Sequence, residues 1–459
     1  MRDRFDLVVI GGGPGGYVAA IRAAQLGLSV ALVEREQLGG VCLNWGCIPT
    51  KALLASAGLL TSLESGDEMG VLVGEPAVDA AAMFERKERV VERLRSGVSK
   101  LLGKRGVSVY EGSGTLRNGA VTVEGPDGEV ELLCDCVILA TGSSPMIPGA
   151  FPYDGSVVVS TREALSDARI PDSVLIVGAG AVGCEFAGFY SAIGRRVTLV
   201  EMLPEILPGE DASAVRLLRA AMKKRGVDVR SGTRVEAIEV EGDSARTTLS
   251  DGDVVKSGRV LLAMGRRPNI QEAGIPEAGV ERTDGAVSVD DHMRTSVQNV
   301  YAIGDLVGGW LLAHVASREG IVAASNAAGS DATMSYRAVP RCTFTRPEIA
   351  SVGLTEQEAK KSGVELAAGR FALGASGKAL ADGDTSGFVK ILSESSGGRV
   401  VGGVVVGPHA SELIHEIALA VHAELSVDVL TSMIHAHPTL SESVMEAAEA
   451  VEGRSIHSL

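Results

Sequence analysis

Asp6-Leu-Val-Val-Ile10-Gly11-Gly-Gly13-Pro-Gly-Gly16 is the stretch on which the fold turns. Its continuous apolar run predicts a strand and its glycines a tight turn, after which a helix is expected over 17–26 and a second strand over 29–33 ending at Glu34. Each glycine has a task. Gly11 makes the turn, Gly13 lets a pyrophosphate approach the backbone, and Gly16 permits close helix–strand packing, with phosphates resting on the helix N-terminus. Glu34 is placed to accept a ribose hydroxyl pair. A glycine turn alone is a weak signal; strand before, helix after and acid at the end together predict a dinucleotide-binding βαβ unit.

The design repeats. Ser173-Val-Leu-Ile-Val-Gly178-Ala-Gly180-Ala-Val-Gly183 opens a second helix, the strand over 196–200 ends at Glu201, and in both copies the acid follows the third glycine by 18 residues. Two such units facing each other are what an electron path from a flavin to a nicotinamide requires. A carboxylate at Glu201 favours the free 2′-hydroxyl of NAD and repels the 2′-phosphate of NADP, and Met202-Leu-Pro-Glu205 stands where NADP would want arginines. Arg195 and Arg196 precede the strand and are expected in solvent.

Between the units lies a charged helical segment over 81–102, then short strands, then Val137-Ile-Leu-Ala140-Thr141-Gly142, a strand running into a turn. Val260-Leu-Leu-Ala-Met264-Gly265 holds the same place after the second unit, and both read as domain exits. Thr295 to Asp305 reads as a strand ending in Gly304-Asp305, whose carboxylate can accept the hydroxyls of a sugar-like chain. The apolar helix expected over 311–328, which includes Ala313, can present amide donors to a flavin ring. From about 339 onward strands (388–392, 400–406) and helices (410–424, 427–434) predict a separate α+β domain.

Composition narrows the function classes. At 459 residues and 45% hydrophobic content the chain can form two to four domains with large cores. A formal charge of −15 and a pI near 5.1, without a long basic run, make nucleic acid and anionic membranes poor partners. Six cysteines are too few for a secreted disulfide scaffold, and no zinc-type ligand quartet is visible, so no metal site is expected. The N-terminus shows no apolar signal core and no run approaches 18 apolar residues, which makes a cytoplasmic protein the expectation.

The chemistry centres on Gly39-Gly40-Val41-Cys42-Leu43-Asn44-Trp45-Gly46-Cys47-Ile48-Pro49-Thr50-Lys51. A disulfide needs Cα atoms within about 7 Å, whereas five positions of regular helix rise roughly 7.5 Å, so a bonded Cys42–Cys47 pair requires a distorted segment. Gly46 permits the distortion. Pro49 and Thr50 suit the first turn of a helix, which puts Cys47 near a helix N-terminus with Lys51 close by, and both lower a thiol pKa. A structural disulfide or two buried thiols remain open for an isolated pair; the flanking nucleotide motifs favour redox chemistry. Near the C-terminus, His435-Ala-His437-Pro438-Thr-Leu-Ser-Glu442 places an imidazole and a carboxylate five apart around a proline turn. Glu442 can hold the Nδ1 proton of His437 so that Nε2 takes a proton from a thiol. Most surface His/Glu pairs do no chemistry. The histidines at 292, 314, 409, 415, 422 and 457, and Cys134, Cys136, Cys184 and Cys342, read as structural.

The dithiol stretch, the Gly11 and Gly178 fingerprints, Tyr301-Ala-Ile-Gly304-Asp305 and His435 to Glu442, in this order over nearly the whole chain, resemble the dihydrolipoamide dehydrogenases, a branch of the pyridine nucleotide-disulfide oxidoreductases. The resemblance implies an α/β fold with two Rossmann-like dinucleotide-binding domains, for FAD and NAD, and a C-terminal α+β dimerisation domain. The expected domains are 1–145 for FAD and the dithiol, 146–272 for NAD, 273–338 for a central segment returning to FAD, and 339–459 for the interface. It further implies an obligate homodimer in which His437 and Glu442 serve the dithiol of the other subunit. Cys42 resembles the interchange thiol and Cys47 the flavin-side thiol. Lys51 and Glu185 resemble an ion pair beside the reactive flavin nitrogen, where a cation steadies a developing anion. By the same resemblance Gly11, Gly13, Gly16, Glu34, Ala140, Thr141, Gly142, Asp305 and Ala313 would contact FAD, and Gly178, Gly180, Gly183, Glu201 and Gly265 would contact NAD. His437-Pro438 is expected to be cis. The substrate would be a dihydrolipoyl group carried on a lipoyl domain of a 2-oxo acid dehydrogenase complex or the glycine cleavage system, since the chain starts at its first fingerprint. A glutathione-type reductase would favour NADP, a mercuric reductase would want extra C-terminal cysteines, and a silent flavoprotein scaffold would not need Cys42, Cys47, His437 and Glu442 intact.

Overall fold

The computed structural model describes residues 2–74, 76–126 and 128–458. The first apolar run extends further than expected, as strand Arg2–Ile10, because Arg2 to Phe5 pair in parallel with Glu131 to Cys134 of the long strand Gly128–Leu139. Arg2–Ile10 is also parallel to Val30–Glu34; the first strand runs into the glycine turn and the second ends beside it, each with its central residues buried. Helix Pro14–Gln25 leaves that turn and crosses helix Ala313–Ala327 closely. A Cβ on Gly320 would lie 2.5 Å from the Gly15 carbonyl oxygen, so only glycine allows that crossing. Strand Val300–Ala302 adds to the same sheet beside Gly128–Leu139. The strand expected from Thr295 to Asp305 is confined to Val300–Ala302, since Asn299 takes φ +60, and Leu311 at φ +49 delays the following helix to Ala313.

The second unit repeats this plan as a five-stranded parallel sheet in the order Asp228–Ser231, Arg196–Glu201, Ser173–Val177, Arg259–Leu262, Val158–Val159. Its two connections to the first unit, Ser143–Pro145 and Arg266–Pro268, pair antiparallel, so the exits inferred from sequence lie side by side. Arg195 is not free in solvent as expected: its Nη1 lies 2.9 Å from Asp172, which precedes the neighbouring strand.

The C-terminal part is a five-stranded antiparallel sheet ordered Arg341–Thr343, Glu348–Gly353, Val400–Gly407, Phe388–Glu394, Leu366–Ala372, packed against helices Ala410–His422 and Glu442–Val451. Strands 341–343, 348–353 and 366–372 were not read from sequence, and helix Val427–Ser432 ends two residues early because Met433 turns extended. The helical stretch Gly40–Glu64 is long and apolar enough to cross a membrane by length and composition, with mean hydropathy 1.2. It is interrupted at Gly46, carries Lys51, and packs against helices Ala80–Lys104 and Ala181–Ala192.

Candidate active site

The dithiol segment begins against the first nucleotide turn. Gly39 donates its N–H to the Gly12 carbonyl at 2.8 Å, and both Gly39 (φ +94) and Gly40 (φ +57) take backbone shapes that favour glycine. Helix Gly40–Trp45 then breaks at Gly46 (φ −142, ψ −112), and helix Cys47–Glu64 restarts on the next residue. This is the distortion that a bonded pair requires. Thr50 Oγ1 donates back to the Gly46 carbonyl at 2.7 Å, closing the first turn.

Cys42 and Cys47 are present as thiols within hydrogen-bonding reach of each other. The proton they share stays on Cys42, whose ionisation is pushed far up by its bond to Cys47 and by burial. Cys47 is held down to about 7, first by the hydrogen bond from Cys42 and then, against the opposing cost of burial, by the Lys51 charge. Among the described residues it is the only thiol so lowered: burial raises Cys134 and Cys342 to about 11 and shifts Cys136 and Cys184 upward. Cys47, on the first residue of its helix, is therefore the sulfur able to stand as thiolate near neutral pH.

Lys51 Nζ lies 2.9 and 2.8 Å from the two carboxylate oxygens of Glu185, joining the dithiol helix to helix Ala181–Ala192 of the second unit. Glu185 is buried and also accepts the Phe344 N–H at 3.0 Å, while the Phe344 ring lies 4.5 Å under the Lys51 ammonium. Phe344 carries no signal in its own stretch of sequence and was not anticipated.

The two fingerprints share one geometry. A Cβ on Gly16 would lie 1.8 Å from the Gly11 carbonyl oxygen and one on Gly183 1.9 Å from that of Gly178, whereas at Gly13 and Gly180 nothing stands within 4 Å. Both turns are thus closed toward the helix and open toward a ligand, as a pyrophosphate cradle requires, so the residues fit a bound dinucleotide. Glu34 accepts the Gly12 N–H at 2.7 Å and Glu201 the Ala179 N–H at 2.7 Å. Ala140 and Thr141 lie beside the first turn: the Ala140 N–H bonds the Ile10 carbonyl at 2.8 Å, and the Thr141 carbonyl accepts from Asn269 Nδ2 at 2.9 Å. Gly142 (φ +69) and Gly265 (φ +110) turn the two exits. Asp305 accepts a short hydrogen bond from Ser143 Oγ and lies 3.7 Å from Arg266 Nε. Ser143, Arg266 and the buried Glu319, which accepts the Gly304 N–H at 2.6 Å, support the Gly304-Asp305 turn and were not anticipated. Ala313 is the first residue of its helix.

His437 Nδ1 lies 2.9 Å from Glu442 Oε1, and the bond from His437 to Pro438 is cis, both as expected. The His437 side chain is 78% exposed on the C-terminal domain, and within one chain no hydrogen bond joins it to either cysteine among the described residues. One chain thus assembles the thiols, Lys51, Glu185 and the first turn, and leaves the imidazole outside.

Comparison with known proteins agrees with this geometry. The pyridine nucleotide-disulphide oxidoreductase profile matches residues 5–320, and that family's dimerisation domain matches 339–448. A dihydrolipoyl dehydrogenase of Chlorobaculum tepidum is 43% identical over 97% of this chain and 96% of its own, and one of Bacillus subtilis 38% identical over 98% and 99%. Among solved structures, LpdA of Mycobacterium tuberculosis superposes with a TM-score of 0.92 at 32% identity, covering 97% of this chain and 99% of its own. The HOCl-induced flavoprotein disulfide reductase RclA of Escherichia coli, solved as a Cu(II) complex, gives 0.87 at 26% identity over 97% and 99%. With both halves matched end to end and the fingerprints and thiol pair in place, the chain belongs to the pyridine nucleotide-disulphide oxidoreductase family.

Proposed function

We propose that this chain is a dihydrolipoyl dehydrogenase, which oxidises a protein-bound dihydrolipoyl group to its disulfide and reduces NAD⁺ to NADH. The observation that carries the reading is the Cys42/Cys47 thiol pair on a helix broken at Gly46, seated against the first nucleotide turn with the Lys51–Glu185 ion pair beside it. FAD would be held by Gly11, Gly13, Gly16, Glu34, Lys51, Ala140, Thr141, Gly142, Asp305 and Ala313, and NAD by Gly178, Gly180, Gly183, Glu201 and Gly265. When bound, these two cofactors supply the acceptance of an electron pair and its delivery as hydride.

The residues of the chain do the rest. In a homodimer, His437 would reach the dithiol of the neighbouring subunit, with its Nδ1 proton held by Glu442 so that Nε2 is free to take a proton. A dihydrolipoyl thiol gives that proton to Nε2, and the resulting thiolate attacks Cys42 Sγ of the oxidised pair, breaking the Cys42–Cys47 bond and leaving Cys47 as thiolate. The second lipoyl sulfur then displaces Cys42, closing the lipoyl disulfide; its proton passes to the leaving Cys42 sulfur, and the first proton stays on Nε2. Lys51 stabilises the Cys47 thiolate and any anion developing beside it, and Glu185 balances the lysine charge.

Support for the partners comes from the dimerisation-domain match and from the relatives' names. The substrate would arrive on the lipoyl domain of a 2-oxo acid dehydrogenase complex or of the glycine cleavage system, in the cytoplasm. Titrating the purified holoenzyme with dihydrolipoamide and then NAD⁺ tests the reading. A long-wavelength thiolate-to-flavin band should grow in the first step and vanish in the second. An unchanged spectrum with dihydrolipoamide, beside normal reduction by NADH, would reject the lipoyl substrate and leave the nucleotide assignments standing.

A further inference from the structure

Between helix Val427–Ser432 and helix Glu442–Val451 the chain crosses the surface of the C-terminal domain, and residues 432–434 and 436–438 are all exposed. His435 alone turns inward, with its side chain 3% exposed, while its neighbour Ile434 is 96% exposed. Its Nε2 lies 2.8 Å from Glu416 Oε1 on helix Ala410–His422, and its Nδ1 lies 3.1 Å from the Met433 carbonyl oxygen. Both partners are acceptors. The ring is therefore held at both nitrogens, by a carboxylate on the facing helix and by a backbone carbonyl of its own segment. The charged groups around this ring are Glu416 on one helix and Glu442 on the other.

We propose that His435 is a positioning residue for the proton-transfer step: clamped by Glu416 and the Met433 carbonyl, it fixes the exposed segment from which His437 projects. The inference rests on His437 being the base. On its C-terminal side the segment is already tied, since Glu442 accepts from the His437 ring and from the Thr439 N–H at 2.9 Å, and Thr439 Oγ1 donates to the Ala436 carbonyl at 2.7 Å. On the N-terminal side His435 is the inward anchor. Two anchors define where the His437 Cα sits and how its ring points; one leaves the segment free to swing about Thr439. A base that must reach a thiol across a subunit boundary loses rate steeply with displacements of an ångström.

The test compares His435→Leu, Glu416→Ala and Glu416→Gln in the holoenzyme dimer. The rate of enzyme reduction by dihydrolipoamide is followed by stopped flow, beside NADH-to-ferricyanide turnover, which bypasses His437, and the oligomeric state. Removing either side of the clamp should slow dihydrolipoamide reduction by about tenfold or more, mostly in kcat rather than KM. Glu416→Gln keeps an oxygen within reach of the imidazole and should stay within about threefold of wild type. NADH-to-ferricyanide turnover should stay within about twofold in all three dimers. The proposal is overturned if His435→Leu and Glu416→Ala both reduce at near wild-type rate, or if both activities fall together or the dimer dissociates, which would mark a role in the scaffold. His437→Gln separates the two readings: if it leaves dihydrolipoamide reduction intact, the base assignment fails and this inference with it. If it abolishes reduction while the clamp variants do not, this inference fails alone.

Discussion

Gly40 touches Gly13: a Cβ built on Gly40 would lie 2.7 Å from the Gly13 Cα, so the start of the dithiol segment rests on the turn that would cradle a pyrophosphate. At this point thiol segment and nucleotide turn meet backbone to backbone, without a side chain to flex between them. Such a contact fixes distance more rigidly than packed side chains do, and electron transfer from sulfur to a bound ring depends on that distance.

Gly40→Ala should therefore damage more than stability. The left-handed backbone costs an alanine about 1 kcal/mol, and the clash must also push the turn or the thiol segment aside. Gly27 has φ +91 and open space around its missing Cβ, so Gly27→Ala carries the backbone cost without the clash. The expected result is a Gly40→Ala protein with reduced flavin content per chain and dihydrolipoamide–NAD⁺ turnover down by about tenfold or more, against near-normal values for Gly27→Ala. Absorbance ratios and turnover measure both. Equal behaviour of the two variants would remove the registering role.

The parts of this site that were legible in sequence are those whose chemistry demands a fixed local spacing. Gly11, Gly13 and Gly16 sit within one turn, Cys42 and Cys47 within one bend, and His437 and Glu442 around one proline, so each motif is complete in a few residues. The supports are non-local. Glu185 meets Phe344 across 159 positions and Ser143 meets Asp305 across 162. Nothing in either stretch announces its partner. Strand Glu348–Gly353, buried in four of its six residues, shows no alternation to betray it, and Arg341–Thr343 is too short for any period.

Cys42→Ala should raise the pH at which Cys47 ionises. The hydrogen bond from Cys42 is the largest influence holding Cys47 down to about 7, and burial pulls the other way, so its loss lets the thiol climb toward its ordinary value. The Cys47 thiolate is thus favoured in the reduced wild-type protein by a hydrogen bond that the variant lacks. The pH titration of thiolate absorbance in the holoenzyme reads this directly: the midpoint should move up, and Lys51→Met should move it in the same direction. A midpoint unchanged in Cys42→Ala would show that some other group sets it.

Lys51 and Glu185 should be coupled, and unequally sensitive to loss. Lys51→Met strands the buried Glu185 carboxylate with one backbone N–H, an uncompensated charge that costs several kcal/mol when fully enclosed. Because the Lys51 side chain is 32% exposed, the expected loss is smaller, about 2 kcal/mol. Lys51→Met with Glu185→Leu removes both charges and should recover part of that stability. Denaturant midpoints of Lys51→Met, Glu185→Leu and the double variant give the coupling energy, and additive losses would mean that the pair contributes no mutual stabilisation.

The exposed imidazole sets up the sharpest test of how the site is shared. Mix a Cys42→Ser chain with a His437→Gln chain, and let them exchange subunits. If each thiol pair is served by the His437 of its own chain, every site in the mixed dimer carries one lesion and none can work. If the imidazole crosses the interface, one site of the mixed dimer joins the two substituted residues, while the other joins an intact thiol pair with an intact imidazole. Half the dimers in an equal random mixture are mixed, so activity should rise from the parental background to about a quarter of wild type per chain. The recovery should appear in dihydrolipoamide–NAD⁺ turnover at the rate of subunit exchange. A mixture that exchanges subunits yet stays at the parental level would place the complete site within a single chain, and the 78% exposure of His437 would then need another explanation.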